Sequence, residues 1–405
     1  MSFDPHAVRT EFPVFGHRSD GFHYLDSAAT GQICRAAADA LLTFETRNRA
    51  NVKRGIYPLA EAATEAFAEA RRTIAGYLGV ANADEVILTS GTTLGINLFA
   101  HAFGARLAKG DEIVLSELEH HSNIVPWQLL CERSGAAIRV LPVSDEGRLD
   151  LDRIEEIVTE RCKVVAVTHA SNVTGALTDL ARIVTAARAV GARVLVDGAQ
   201  RAPHGPLDVP ALGVDAYAIS GHKMFGPTGG GALWVRGELL AELPPFLGGG
   251  EMINRVTFAR TEYARAPHRF EAGTPAIGAA IGMGAAARFL ASLDWQAATR
   301  HELALTERLL DGLAQIPDLR VIGPAGRQGR IGVVSFEAEG AHSHDICHLL
   351  GARGVCLRGG HHCAQPLMDR FGVVATARAS LAPYNDAADI DALLAGLDEA
   401  LAILR

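Results

Sequence analysis

Between residues 86 and 235 the chain alternates short apolar runs with longer amphipathic stretches, and this alternation restricts the fold more than any other feature. The runs 86–88, 112–115, 138–143, 163–167, 193–196, 215–219 and 231–235 have strand length and little polar interruption. Helical spacing fills gaps between them, as at 150–159 and 180–190. The expectation is an α/β architecture, a mostly parallel seven-stranded sheet under helices, whose ligands gather beyond the carboxyl ends of the strands.

The texture changes near residue 280. A helical stretch over 282–313 is followed by strand-like 332–336, a helix over 344–353, strand-like 355–358 and a last helix from Asp389. With 405 residues, two domains are expected. They are a large domain over 21–280 and a smaller C-terminal α+β domain over 281–405, with an N-terminal segment, 1–20, packing on the smaller one.

Composition removes several function classes. A net charge of −8 argues against a broad nucleic-acid-binding face. The opening MSFDPHAVRT lacks the basic-then-apolar pattern of a secretory signal, so a cytoplasmic location is expected. The Ala/Gly-rich run 276–287 falls short of the roughly 20 apolar residues a membrane span needs and reads as a packed helix. The six cysteines include no C-x-x-C pair, so neither a disulfide framework nor a thiolate zinc site is indicated.

Polar residues collect at the ends of the expected strands. After 86–88 comes Ser90-Gly91-Thr92-Thr93, opening a helix. A small-residue turn there presents free N–H groups and a positive dipole, which suit either a phosphate or a simple helix cap. Asp197 ends the run 193–196, in VDGAQ; it either caps the next element or faces a cationic ring nitrogen, as pyridoxal phosphate chemistry requires. His120 and His121 follow 112–115, placed to stack on an aromatic cofactor or to move a proton. Adjacent histidines diverge and no third ligand is evident, so no metal is expected there. His344 and His348 share a helical face without an HExxH pattern and read as a solvated surface.

Lys223 lies in SGHKMFGP, a glycine-bounded turn between two apolar runs. Lysine is rarely buried unpaired, and burial lowers its pKa as a Schiff-base lysine needs. Together, a phosphate cradle, a strand-end acid, a histidine and a turn lysine make Lys223 the expected aldehyde-binding residue.

With these residues assembled, the sequence resembles the class V, fold-type I pyridoxal-phosphate enzymes, and among them the group II cysteine desulfurases, or selenocysteine lyases. The resemblance runs from YLDSAA at 24–29 to RASLAPYN at 378–385. It is carried by GTT..IN, EHHSNIVPW, SNVTG, VDGAQ, SGHKMFGPTG, RFEAGTP and GGHHCAQPLM. It implies that Lys223 bonds the cofactor aldehyde and moves the substrate Cα proton, that Asp197 pairs with the pyridine nitrogen, and that Gln200 meets the phenolic oxygen. His120 would stack on the ring, and Thr92, Thr93, Ser220 and His222 would hold the phosphate. Thr274 would reach the phosphate of a neighbouring subunit, which implies a homodimer with shared sites. Asn172 and Arg378 would bind the substrate carboxylate, with Arg358 helping to orient it.

Cys363, on a glycine-rich stretch read as mobile and partly exposed, would be the nucleophile that receives sulfur from L-cysteine. The implied activity is conversion of L-cysteine to alanine. A sulfur-acceptor protein, and iron–sulfur cluster or other sulfur metabolism, would lie downstream. Selenocysteine lyase and cysteine-sulfinate desulfinase use the same scaffold and remain alternatives. Retained Cys363 argues against a kynureninase-like hydrolase or an epimerase, and an intact site argues against a non-catalytic binding protein. Lys53, Tyr57, Leu94, Arg201 and Gly359 depart from the pattern of the family.

Overall fold

Seven strands lie between Val86 and Val235: β1 (Val86–Thr89), β2 (Glu112–Ser116), β3 (Ala137–Leu141), β4 (Cys162–Thr168), β5 (Arg193–Asp197), β6 (Ala216–Ser220) and β7 (Gly231–Val235). This is a computed structural model, and it describes residues 3–18 and 21–405. The strands form one sheet in the order β1-β7-β6-β5-β4-β2-β3. Strand β7 runs antiparallel to both neighbours and every other pairing is parallel.

Both faces are covered, which explains the uninterrupted apolar runs. Val165, Val194, Val196, Tyr217 and Trp234 point into one buried cluster. Their neighbours Val164, Ala166, Leu195, Ala218 and Leu233 point into the other. Strand β3 stops at Leu141, short of the expected 143, because Pro142 has no N–H to donate. The stretch 150–159 yields only the turn of helix Ile154–Ile157, which ends where Val158 leaves helical backbone at ψ 85°.

The helical stretch 282–313 is two helices, Ile277–Ala291 and Trp295–Leu313, bent by 86°. Asp294 forms the break by accepting the N–H of Ala297 (3.0 Å). The first helix packs on Arg35–Arg47 and Pro58–Tyr77 beside the large sheet. Its glycines permit the approach, since a Cβ on Gly284 would lie 2.9 Å from the Ala70 backbone. A boundary between residues 280 and 281 thus falls inside this helix, and the chain leaves the large layer after Ala291. No single helix among the described residues is long and apolar enough to cross a membrane.

The C-terminal part is a four-stranded antiparallel sheet, in the order Leu319–Ile322, Val333–Ala338, Thr376–Ser380, Arg358–Gly360. Leu305, Leu309, Phe336, Ile346, Leu350, Leu393 and Leu397 form its core. Of the segment 1–20, residues 1, 2, 19 and 20 lie outside the described residues. The rest sits in the seam between the two sheets. Phe12 packs 5.2 Å from Phe225 and 4.7 Å from Tyr384, and Arg9 reaches Asp389 at 3.3 Å.

Candidate active site

The carboxyl ends of β1, β2, β5 and β6 open into one cavity, closed on the far side by the small sheet. Beyond β1 the chain turns at Gly91, whose φ of 126° suits only glycine, into the helix Thr92–Gly104. A Cβ on Gly231 would sit 2.3 Å from the Gly91 Cα, so the turn is pressed against β7. Ser220, ending β6, pins this helix start. Its hydroxyl accepts the N–H of Thr92 and donates to the Thr92 hydroxyl, both at 2.9 Å. Thr93 pairs with the Ser122 hydroxyl (2.7 Å), and His222 Nδ1 lies 3.2 Å from the Thr30 hydroxyl. The helix start, two hydroxyls and an imidazole together form an anion cradle.

Asp197 is buried at the end of β5 and accepts the N–H of Ala199 (2.9 Å). Burial raises its carboxyl, and Lys223 opposes that rise. Burial lowers the amine of Lys223, with Asp197 acting in the other direction. Each partly neutralises the burial cost of the other. Gln200 donates to the Ala28 carbonyl (2.8 Å) and keeps its amide at the cavity wall. His120 follows β2. Its Nδ1 accepts the N–H of Ser122 (3.1 Å), so a neutral ring carries its proton on Nε2. Burial, with Lys223 next, holds it down at about 3.

The small sheet contributes two arginines. Arg358 and Arg378 face each other across adjacent antiparallel strands, an arrangement that is unfavourable without an anion. Arg378 is 2% exposed, donates to the Asn172 carbonyl (2.9 Å) and Asp26 (3.3 Å), and leaves its buried Nε without a partner among the described residues. The Asn172 amide donates to the His362 carbonyl (2.7 Å).

Cys363 follows on a turn that is shorter and better tied than its glycines suggest. His362 and Cys363 both adopt left-handed backbone, with φ of 51° and 55°. The Cys363 carbonyl accepts the N–H of His121 (2.7 Å), and Gln365 donates to His121 Nε2 (3.1 Å). Buried His362 bonds the Thr376 hydroxyl (2.9 Å). These bonds tie the turn to both sheets and leave Cys363 partly exposed.

Every residue to which the resemblance gives a catalytic, cofactor or substrate role lines this cavity except Thr274, which lines a separate one with Leu41, Phe44 and Asn51. Three residues that the sequence reading passed over belong here: Asp26, which pairs with Arg378; Thr168, in register with Asp197; and Glu119, beside His120. Asp26 stands in the quoted YLDSAA and Glu119 opens the quoted EHHSNIVPW, the signals available for them.

The departures also find places. Arg201 donates to the Gly205 carbonyl (3.2 Å) and helps lower buried Glu302. A Cβ on Gly359 would meet His344 at 2.7 Å. Leu94 lines an adjoining apolar cavity with Phe67 and Phe270. Lys53, at φ 77°, holds its amine 4.0 Å from Glu271. Tyr57 is half exposed, and nothing in the structure explains its departure.

Residues 23–393 match the aminotransferase class-V family. The chain belongs to it. Members of this family depend on pyridoxal phosphate. The chain is 46% identical to a probable cysteine desulfurase of Streptomyces coelicolor, over 98% of this chain and 96% of that one. It is 44% identical to the cysteine desulfurase of Salmonella typhimurium, over 98% of each. The crystal structure of the Escherichia coli cysteine desulfurase CsdA (S-sulfonic acid) superposes with a TM-score of 0.93 at 39% identity, covering all of both chains.

The site meets the needs of such a cofactor. It offers an amine kept reactive by burial, a buried acid beside it, a helix-start cradle for phosphate and an arginine Nε with no partner among the described residues.

Proposed function

We propose that the chain is a pyridoxal-phosphate-dependent cysteine desulfurase. It converts L-cysteine to L-alanine and leaves the sulfur as a persulfide on Cys363. The observation that carries this reading is that Lys223, Asp197 and Cys363, from two different sheets, line one cavity.

When bound, the cofactor supplies an aldehyde for an amine and a ring that takes up an electron pair from the substrate Cα. Lys223 holds that aldehyde, and its amine, deprotonated more readily because it is buried, accepts the Cα proton. Asp197 keeps a proton on the ring nitrogen. Neutral His120 offers an uncharged ring face, and Gln200 meets the phenolic oxygen. Thr92, Thr93, Ser220 and His222 take the phosphate. Arg378, with Asn172 beside it, holds the substrate carboxylate, and Arg358 supplies a second positive charge.

The Cys363 thiolate then attacks the substrate sulfur. The S–S bond forms, the Cβ–S bond breaks with its electron pair staying on carbon, and a proton on that carbon completes alanine. Thr274, away from the cavity of its own chain, serves the phosphate site of a second copy in a homodimer. The persulfide passes to an acceptor protein for iron–sulfur cluster or related sulfur metabolism, in the cytoplasm.

Borohydride reduction of the loaded protein followed by peptide mapping tests the reading, and the label is expected on Lys223 alone. A label elsewhere, or none, overturns it. Turnover measured side by side on cysteine, selenocysteine and cysteine sulfinate separates desulfuration from the lyase and desulfinase activities.

A further inference from the structure

Glu119 is completely buried, directly precedes His120, and has no part in the chemistry above. Its carboxylate meets three groups: the Ser116 hydroxyl, the Thr168 N–H (2.9 Å) and the Asn123 side-chain amide (2.6 Å). The direction of each bond follows from what the groups are able to do. An indole N–H only donates, and that of Trp127 donates to the Asn123 carbonyl oxygen (3.0 Å). The Asn123 amino group is therefore the side turned to Glu119. The Thr168 N–H only donates as well. The Ser116 hydroxyl accepts the N–H of Leu118 (3.2 Å), and its own proton points to Glu119.

Two neighbours are donors of fixed direction, and a protonated Glu119 would have only the Ser116 oxygen to donate to, leaving the buried Ser116 hydrogen without an acceptor among the described residues. Burial favours the acid form, and with the three donors opposing it and Asp197 adding to it the carboxyl stands raised, at about 8. The inventory of donors decides for the anion.

The three donors also come from meaningful places. Asn123 closes the turn His121–Asn123 that follows His120. Thr168 is the in-register partner of Asp197 on the next strand. We propose that Glu119 is a permanently ionised positioning residue, locked as an anion by the Trp127–Asn123 relay, which ties the turn behind His120 to the strand beside Asp197 and adds a second buried negative charge at the ring-nitrogen end of the site. This deepens the cofactor reading above and rests on it.

The test exploits bond direction. E119Q sets its amino group against one fixed donor or the other, the Thr168 N–H in one orientation and the Asn123 amino group in the other, and flipping Asn123 only moves the second conflict to Trp127. In E119Q/N123D the alternation returns: the carboxylate introduced at position 123 accepts from both the new amide at position 119 and the indole of Trp127, and one negative charge stays in place. E119Q is expected to release cofactor roughly ten- to hundredfold faster, the effect of an unpaired buried polar group, and E119Q/N123D to recover most of that loss. Should E119Q fail to fold, recovery of folding in the double variant supports the proposal. E119Q behaving as wild type, or a double variant no better than E119Q, overturns it.

A readout independent of cofactor is the infrared difference between wild-type and E119Q apoprotein, or wild type and E119Q/N123D if E119Q does not fold, at neutral pH. A carboxylate band assigned to Glu119 is expected, and a protonated-carboxyl band in its place overturns the proposal. Absence of cofactor from Lys223 would instead sink the parent reading, and the infrared result would still report the charge of Glu119.

Discussion

The Lys223 end of the large sheet and the Cys363 turn of the small domain face the same cavity but are built on opposite plans. Asp197 and Ser220 sit at the ends of buried parallel strands, where the flanking residues on both faces are packed. Cys363 sits on a turn at the rim of a smaller sheet, with two consecutive left-handed residues and partial exposure. Left-handed backbone costs a non-glycine residue of the order of 1–3 kcal/mol, and here a few bonds to His121, Asn172 and Thr376 hold it. A group that shapes a buried cofactor's electronics benefits from rigid, dry surroundings. A thiol that must hand on sulfur needs access, and the strained turn holds it at the edge.

The strongest challenge to this contrast is Cys363→Ala. Cysteine turnover is expected to vanish while visible absorbance of bound cofactor is unchanged, because the two regions share no chain segment. An assay of alanine release beside a spectrum decides it, and equal turnover in the variant would dissolve the distinction. Next in size is Asp197→Asn, which keeps the shape and removes the charge. At least about a hundredfold loss in kcat is expected, as for other losses of fixed electrostatic support, with Cys363 alkylation by iodoacetamide unaltered.

Gly359→Ala sharpens the comparison from the small-domain side. The new Cβ meets His344 at 2.7 Å and the Ser343 carbonyl at 3.1 Å, and a destabilisation of about 1–3 kcal/mol is expected in urea titrations. G359A/H344A should recover the side-chain share only.

The smallest effect is an acid one. Burial holds His120 at about 3, His222 at about 4 and His362 at about 2, all below the ordinary value of about 6.5. In the unfolded chain these rings take protons that the folded state excludes. Their stabilising contribution is therefore complete above about pH 6.5 and is lost progressively as pH falls towards 4. For buried His362 alone the loss by pH 5.5 is about 1 kcal/mol, read as a lower urea midpoint that His362→Gln makes less pH-dependent.

Much of the large sheet was legible because each strand writes its environment into a few consecutive residues. Residues 194–196 are apolar on both faces since both faces are covered, and Asp197 stands out against them. The turn residues Gly91 and Lys223 were legible as breaks in that pattern. The helices Arg35–Arg47 and Pro58–Tyr77 went unread, although both are amphipathic, because no strand-end motif drew the eye to them. Strand Leu319–Ile322 is short, partly exposed and bears Arg320, so its alternation is faint. The pairing of Asp26 with Arg378 depends on side chains meeting from distant elements, as the Glu119 bond to Thr168 depends on a neighbouring strand, and no local spacing encodes such meetings.

The bond from the His121 N–H to the Cys363 carbonyl spans the two sheets and lies one residue from His120. A group held against His120 is expected to steady the peptide that closes this bond, and by reciprocity a displaced rim is expected to weaken that hold. Deuterium uptake at the His121 amide is the local gauge of that linkage, and it should slow when the aldehyde pocket is filled, well before any sulfur has moved.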